Sequence, residues 1–435
     1  MGRTLEQQTM RKVYLRLLPI TILTYFLCYL DRINVGFAAL TMNSEIGLNA
    51  ETYGFAASVF FWGYFLFEVP SNVILHKVGA RIWIARIMVT WGLLSAATAF
   101  CTGPWSFATV RFLLGLAEAG LFPGIVLYLT YWFPDRHRAR VMAGFVLALP
   151  LAVAVGSPVS TAIMELNGAW GIAGWKWMYL LEAAPTVLLG LVVLFSLTDR
   201  PAEARWLSNE ERAWLVSEID HESRQIEAKG KISMLRSFWD PKVLLLSLNY
   251  LGIVTASLGL LLFLPQMLKQ LGLSNMQVGL AGALPYVCGT LSMLAWGWIS
   301  DRMGERRWNL FVACVVAAAG LILAGLTVGT VWSFVGMCIA TIGLYGTKGP
   351  FWAMPPMFLT GTAAAASIAW INSIGNLGGA FGPPLVGWVK QQTGSFAGGL
   401  YVLAAFAVLA ALVAALALDL PRHVVRREPA RAAAE

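Results

Sequence analysis

Two runs without a single charged side chain, Trp308–Thr347 and Gly349–Val389, constrain this chain more than any other feature. Each is about forty residues long, room for two membrane-crossing helices of about twenty. A soluble core does not need such runs. The rest of the chain agrees: 58% of its 435 residues are hydrophobic and 12% charged, whereas a soluble protein carries about 25% charged residues. Solid apolar runs, rather than alternating segments of about ten residues, argue against a membrane β-barrel. The expected fold class is an all-α membrane protein.

Twelve transmembrane helices are expected near 15–40, 52–76, 82–101, 105–131, 139–165, 175–197, 243–269, 277–300, 308–328, 331–356, 364–389 and 396–418. Lys and Arg mark the cytoplasmic loops. They gather at Arg3, Arg11, Lys12 and Arg16, at Lys77 and Arg81, at Arg136, Arg138 and Arg140, at Arg302, Arg306 and Arg307, and at Arg422, Arg426, Arg427 and Arg431. The intervening loops hold almost none, so both termini are expected in the cytoplasm. The same bias accounts for the net charge of +8 without a nucleic-acid partner. The five cysteines are scattered in or beside apolar helices, and no metal or disulfide pattern is present.

Residues 198–242 form the only long polar stretch, with eight Lys/Arg and nine Asp/Glu. Within it Ser208 and Glu211 have the spacing of a capping box. The expected organisation is a six-helix half over 1–197, a cytoplasmic linker with short helices over 198–242, and a second six-helix half with a tail over 243–435. The halves echo each other. Lys77, Gly79 and Arg81 match Arg302, Gly304 and Arg306 at an offset of 225 residues, and Gly156 matches Gly382 at 226. Parallel six-helix repeats around a midplane site are a transporter architecture.

The motif G-x-x-x-D-R-x-G-x-R-R at Gly297–Arg307 resembles that of the major facilitator superfamily. Within it, "YLDRINVGFA", "GYFLFEVPSNVIL", "RFLLGLAEAGLFPG" and "EARWLSNEERAWL" resemble the anion:cation symporter family. That family includes permeases for tartrate, phthalate, hydroxyphenylacetate and sugar acids, and animal carriers of sialic acid and glutamate. The likeness covers nearly the whole chain. One departure is that the first half has Asn72 and His76 where the second has Gly297 and Asp301.

Ionisable residues expected to be buried within the spans are functional candidates, because lipid does not tolerate them unpaired. They are Asp31, Arg32, Glu68, Arg111, Glu118, Glu182 and Lys348. Matched depth makes an Asp31–Arg111 pair feasible, and Glu118 lies two turns beyond Arg111 on one face. The family resemblance implies that Asp31 and Glu118 carry protons and that Arg32 anchors the substrate anion. The competing reading of Arg32 is a salt bridge to another helix. Lys348, in a segment made irregular by Gly346, Gly349, Pro350, Pro355 and Pro356, offers a second cation, one from each half, for a substrate with two anionic groups. Its alternative is a lysine reaching for the cytoplasmic surface. Tyr29 and Tyr64 are expected to line the cavity, and Asn372 and Asn376 either bond substrate hydroxyls or join helices. Gln266 and Trp352 are lining candidates by resemblance. Glu68 and Glu182 read as structural.

No Walker lysine, H-E-x-x-H or G-x-S-x-G occurs, so ATP-driven pumping and hydrolysis lack their parts. A channel has no need of a two-fold repeat with buried acids. The expectation is a proton-coupled importer of a small organic anion, such as a hydroxylated dicarboxylate, working by alternating access. Alternatives are a uniporter or exchanger, or import of aromatic carboxylates or sugar acids. It is expected to act as a monomer in a bacterial inner membrane, with no cofactor besides the coupling proton.

Overall fold

The computed structural model describes residues 4–228, 238–357 and 361–417. Linker residues 229–237 and the tail arginines beyond 417 lie outside them. Among the described residues there is no strand. Ten helical rods are long and apolar enough to cross a membrane, numbered here as spans by their order in the chain. Spans 1 to 6 are Leu5–Glu45, Ala50–Val78, Ala80–Phe100, Pro104–Trp132, Asp135–Met164 and Gly174–Ser196. Spans 7 to 9 are Pro241–Lys269, Asn275–Met303 and Arg307–Leu326, and span 12 is Ala397–Leu416. Spans 4 and 5 each contain one short break, after Glu118 and after Val146, and the other two are split into shorter helices. Span 10 runs Val331–Gly346 and then Lys348–Ala353, and span 11 runs Gly361–Asn376 and then Gly378–Thr393. The twelve spans fall where the apolar runs place them.

The offset of 225 recurs in the geometry. Span 2 opens on a reciprocal cap in which the Thr52 amide donates to Asn49 Oδ1 at 2.8 Å and Thr52 Oγ1 accepts from the Asn49 amide at 2.9 Å. Span 8 opens on the same arrangement, 225 residues on, between Ser274 and Gln277. Both spans are 29 residues long and end at a glycine with positive φ, Gly79 at 99° and Gly304 at 62°. A reciprocal cap satisfies backbone donors that apolar surroundings leave without water. The second half pairs Asp301 with Arg306 at 2.5 Å. The first half has His76 at the matching position, and Asp199 from the end of span 6 supplies the acid instead. It accepts from the Arg81 amide at 2.8 Å and lies 3.8 Å from the guanidinium.

The halves meet chiefly along two seams, span 2 against span 11 and span 5 against span 8, with span 1 also touching span 7. Gly54 and Gly279, again 225 residues apart, sit at close approaches in these seams. A Cβ at Gly54 would lie 2.5 Å from the Pro383 carbonyl oxygen, and one at Gly279 would lie 2.8 Å from that of Ser157. No side chain fits there, which is the usual role of small residues between membrane helices. These contacts gather on the side opposite the linker. On the linker side, helix Asn209–Ala228 is tied to the first half. Lys12 meets Glu211 at 2.8 Å, Arg136 meets Glu6 at 2.8 Å and Glu218 at 3.3 Å, and Arg138 meets Glu222 at 2.9 Å.

Candidate functional site

Span 4 breaks in mid-course. Its first helix ends at Glu118, Ala119 leaves the helical region at ψ 132°, and Gly120 turns back at φ 88° before Leu121–Trp132 resumes. Irregular backbone at membrane depth is tolerated where protein or a cavity covers it, and the Gly120 conformation is one that a side chain rarely adopts. The break places Glu118 against span 1. Arg32 Nε donates to Glu118 Oε1 at 2.8 Å and Nη2 does so at 2.5 Å. Cys28, one turn earlier on span 1, adds its thiol to the same oxygen at 3.2 Å. Glu118 Oε2 is buried with no hydrogen-bond partner among the described residues. Three rings surround the Arg32 guanidinium: Tyr29 at 5.2 Å, Phe60 at 5.4 Å and Tyr64 at 5.2 Å. Such rings attract the cation and exclude water from the ion pair.

The arginine expected to hold an anion is therefore joined to the acid expected to carry a proton. The Asp31–Arg111 pair does not form. One residue is a rotation of about 100° on a helix, so once Arg32 faces span 4, Asp31 must face elsewhere. It points at span 3, where it accepts from Trp91 Nε1 at 3.0 Å and from the Ser95 hydroxyl. Arg111 lies 4.9 Å from the centre of the Phe60 ring, and its Nε has no partner among the described residues.

Behind this pair lies a second polar cluster. Asn34 Nδ2 donates to Asp31 Oδ1 and to Glu182 Oε2, both at 3.2 Å, and Ser160 Oγ donates to Glu182 Oε1 at 2.6 Å. One amide thus bridges two buried carboxyl groups on spans 1 and 6. Glu68 sits on the seam between the halves. It accepts from Ser373 at 2.7 Å and from Asn372 at 3.3 Å, so Asn372 serves here as a link between helices. Asn376, one turn on, is half-buried.

In the second half, Lys348 opens the short helix after the break in span 10. Its ammonium lies 5.0 Å from the centre of the Tyr250 ring. Tyr250 stacks on Phe351 at 4.8 Å and meets Trp352 edge-on at 5.1 Å. Tyr250 is also within electrostatic reach of Tyr29, Arg32 and Glu68, so it joins the second-half residues to those of the first. Gln266 stands one turn after Leu262, whose carbonyl accepts from the Tyr53 hydroxyl at 3.0 Å across the halves. Its amide nitrogen is buried beside the Tyr53 hydroxyl. Among those residues no cluster of His, Cys, Asp and Glu has the make-up of a metal site.

The sequence reading missed Cys28, Phe60, Trp91, Asn34, Ser160, Ser373 and Tyr250. Most are residue types common in any apolar helix. Tyr250 alone carried a signal, since the offset of 225 maps it onto Tyr25, whose ring meets Tyr29 at 5.1 Å.

Residues 21–380 match the model of the Major Facilitator Superfamily. The chain belongs to that superfamily. It is 51% identical over 415 residues to a protein of Agrobacterium vitis provisionally named a tartrate transporter, covering 95% of each chain. A second protein of that organism with the same name is 49% identical over 424 residues, covering 97% of this chain and 94% of that one. The inner membrane transport protein RhmT of Escherichia coli is 37% identical, covering 95% and 96%. Among solved structures, the xylose transporter XylE of E. coli superposes with a TM-score of 0.74 at 13% identity, covering 92% of this chain and 97% of that one. As a facilitator-superfamily member the chain is a multi-pass membrane transporter, not an enzyme.

Proposed function

We propose that this facilitator imports a small organic carboxylate, of the class to which tartrate belongs, together with protons. The observation that carries the reading is the Arg32–Glu118 ion pair, buried among Tyr29, Phe60 and Tyr64 at the break of span 4. An arginine presents the planar fork that suits a carboxylate. A glutamate already on that fork must leave it before an anion can dock. Protonating Glu118 removes its charge and frees Arg32, so proton and anion bind together. Asp31, held by Trp91, Ser95 and Asn34, is the second acid of this scheme, and Arg111 the neighbouring cation that its release would reach. The names of the Agrobacterium relatives support the substrate class.

Alternating access supplies the cycle. With the linker and both termini in the cytoplasm of a bacterial cell, the close contacts of the seams at Gly54 and Gly279 would close the outer face. Rocking about the site would open those seams to the exterior, where a more acidic medium loads Glu118 and the anion follows. Return to the inward arrangement restores the Arg32–Glu118 pair, which expels both. The test is uptake of labelled tartrate into proteoliposomes with and without an inward-directed proton gradient. The reading expects accumulation above equilibrium only with the gradient, and none in Arg32→Ala. Equal uptake under both conditions would assign the protein to uniport or exchange instead.

A further inference from the structure

We propose that Lys348 receives the second carboxylate of the substrate and so makes the site select dicarboxylates over monocarboxylates; this rests on the carboxylate-import reading above. The spans of the second half contain no Asp or Glu apart from Asp301, which pairs with Arg306 at the end of span 8: the stretches 243–300 and 306–417 hold none. Lys348 is the one charged residue between Trp308 and Val389. It is partly buried, and no carboxylate lies within ion-pair distance of it among the described residues. Its near neighbour is the face of Tyr250. A buried cation without a counter-ion is costly, and here the protein supplies no anion from its own half.

Arg32 differs, because Glu118 already neutralises it. Arg111, on the first half, also lacks a paired carboxylate among the described residues, and in the second half the uncompensated positive charge of the unloaded site is that of Lys348. The backbone fixes its place. Gly346 packs on Trp296, and a Cβ at Gly349 would lie 2.9 Å from the Gly297 Cα, so spans 8 and 10 touch at the break and hold the lysine there. Lys348 lies over the Tyr250 ring, and Arg32 is within electrostatic reach of that tyrosine. A solute with one carboxylate on each side of a short hydroxylated chain would span the two cations, each half of the protein holding one end. Such bridging also gives the ligand a direct hold on the relative position of the halves.

The experiment compares uptake of tartrate with that of a hydroxylated monocarboxylate of similar size, glycerate, by wild type, Lys348→Gln and Lys348→Arg. The ratio of their transport efficiencies should fall about ten- to a hundredfold in Lys348→Gln, the usual weight of a charge-assisted hydrogen bond, and remain with the cation in Lys348→Arg. An unchanged ratio in Lys348→Gln overturns the inference while leaving carboxylate import standing. Failure of wild type to take up either solute overturns the import reading itself. Should Lys348→Gln be inactive in uptake, thermal stabilisation of the purified protein by the two solutes decides in the same way. A preserved preference for tartrate contradicts the inference, and a lost preference supports it.

Discussion

Replacing Glu118 by glutamine separates binding from coupling. The glutamate makes two charge-assisted bonds to Arg32, at 2.8 and 2.5 Å. Such bonds contribute about 1.5–3 kcal/mol each, roughly twice a neutral bond. Glutamine keeps the shape and a carbonyl acceptor but loses the charge, so a substrate carboxylate displaces it with about 1.4 kcal/mol or more less opposition. That is about a tenfold gain in affinity. Protonation of Glu118 does the same to wild type. Wild-type affinity should therefore climb toward that of Glu118→Gln as pH falls, while the variant's affinity stays flat. The useful window is about pH 5.5–8, where the substrate itself remains ionised. Substrate quenching of tryptophan fluorescence across that range reads the affinity, and proteoliposome uptake reads coupling. The variant should exchange labelled for unlabelled substrate yet fail to accumulate it on a proton gradient. Wild-type accumulation by Glu118→Gln, or weaker binding at every pH, would refute the reasoning.

Three further outcomes are expected. Gly279→Val puts side-chain atoms where a Cβ alone would lie 2.8 Å from the Ser157 carbonyl oxygen. It should force that seam apart, and a membrane-impermeant maleimide should then label a cysteine placed at Met276, whose sulfur lies 3.9 Å from Thr161 Oγ1 across that seam, faster than in the parent; equal labelling contradicts this. Ser373→Ala deprives buried Glu68 of its 2.7 Å donor, which should cost about 1–3 kcal/mol and lower the thermal midpoint in detergent, and an unchanged midpoint would count against the link. Burial pushes the Glu211 carboxyl up, but Lys12 and the Ser208 amide outweigh it and hold the group below the ordinary carboxylate value. Its contribution to docking the linker helix is thus present above the ordinary carboxylate range and lost as pH falls through the lowered value. Proteolysis within the linker should rise in wild type at acid pH and in Glu211→Gln already at neutral pH.

How far the sequence carried can be judged residue by residue. The uncharged runs, the capping box at Ser208 and the offset of 225 are local or periodic signals, and each has a direct physical counterpart: a span, a reciprocal hydrogen bond, a repeated glycine contact. The partners of the buried charges were legible only in part. Depth along a helix follows from counting, so Arg111 and Asp31 were matched in height. Which neighbour each faces depends on rotation and on the kink after Glu118, and no count gives that. The 100° step between Asp31 and Arg32 held the answer, once it was known that one of them meets span 4. Asn34 was invisible because an asparagine in an apolar run signals nothing until two carboxyl groups are found on either side of it. The acid standing in for His76 was hidden likewise, because Asp199 reaches Arg81 from 118 residues away.

The claim beneath this account is that an anion and Glu118 compete for one arginine, with a proton settling the contest. Calorimetry of substrate binding in buffers of different ionisation enthalpy tests it most directly. The account predicts that wild type takes up a proton as the carboxylate binds, so the observed heat changes from buffer to buffer, and that Glu118→Gln shows the same heat in all of them. Buffer-independent heats in wild type, with the carboxylate still binding, would contradict it.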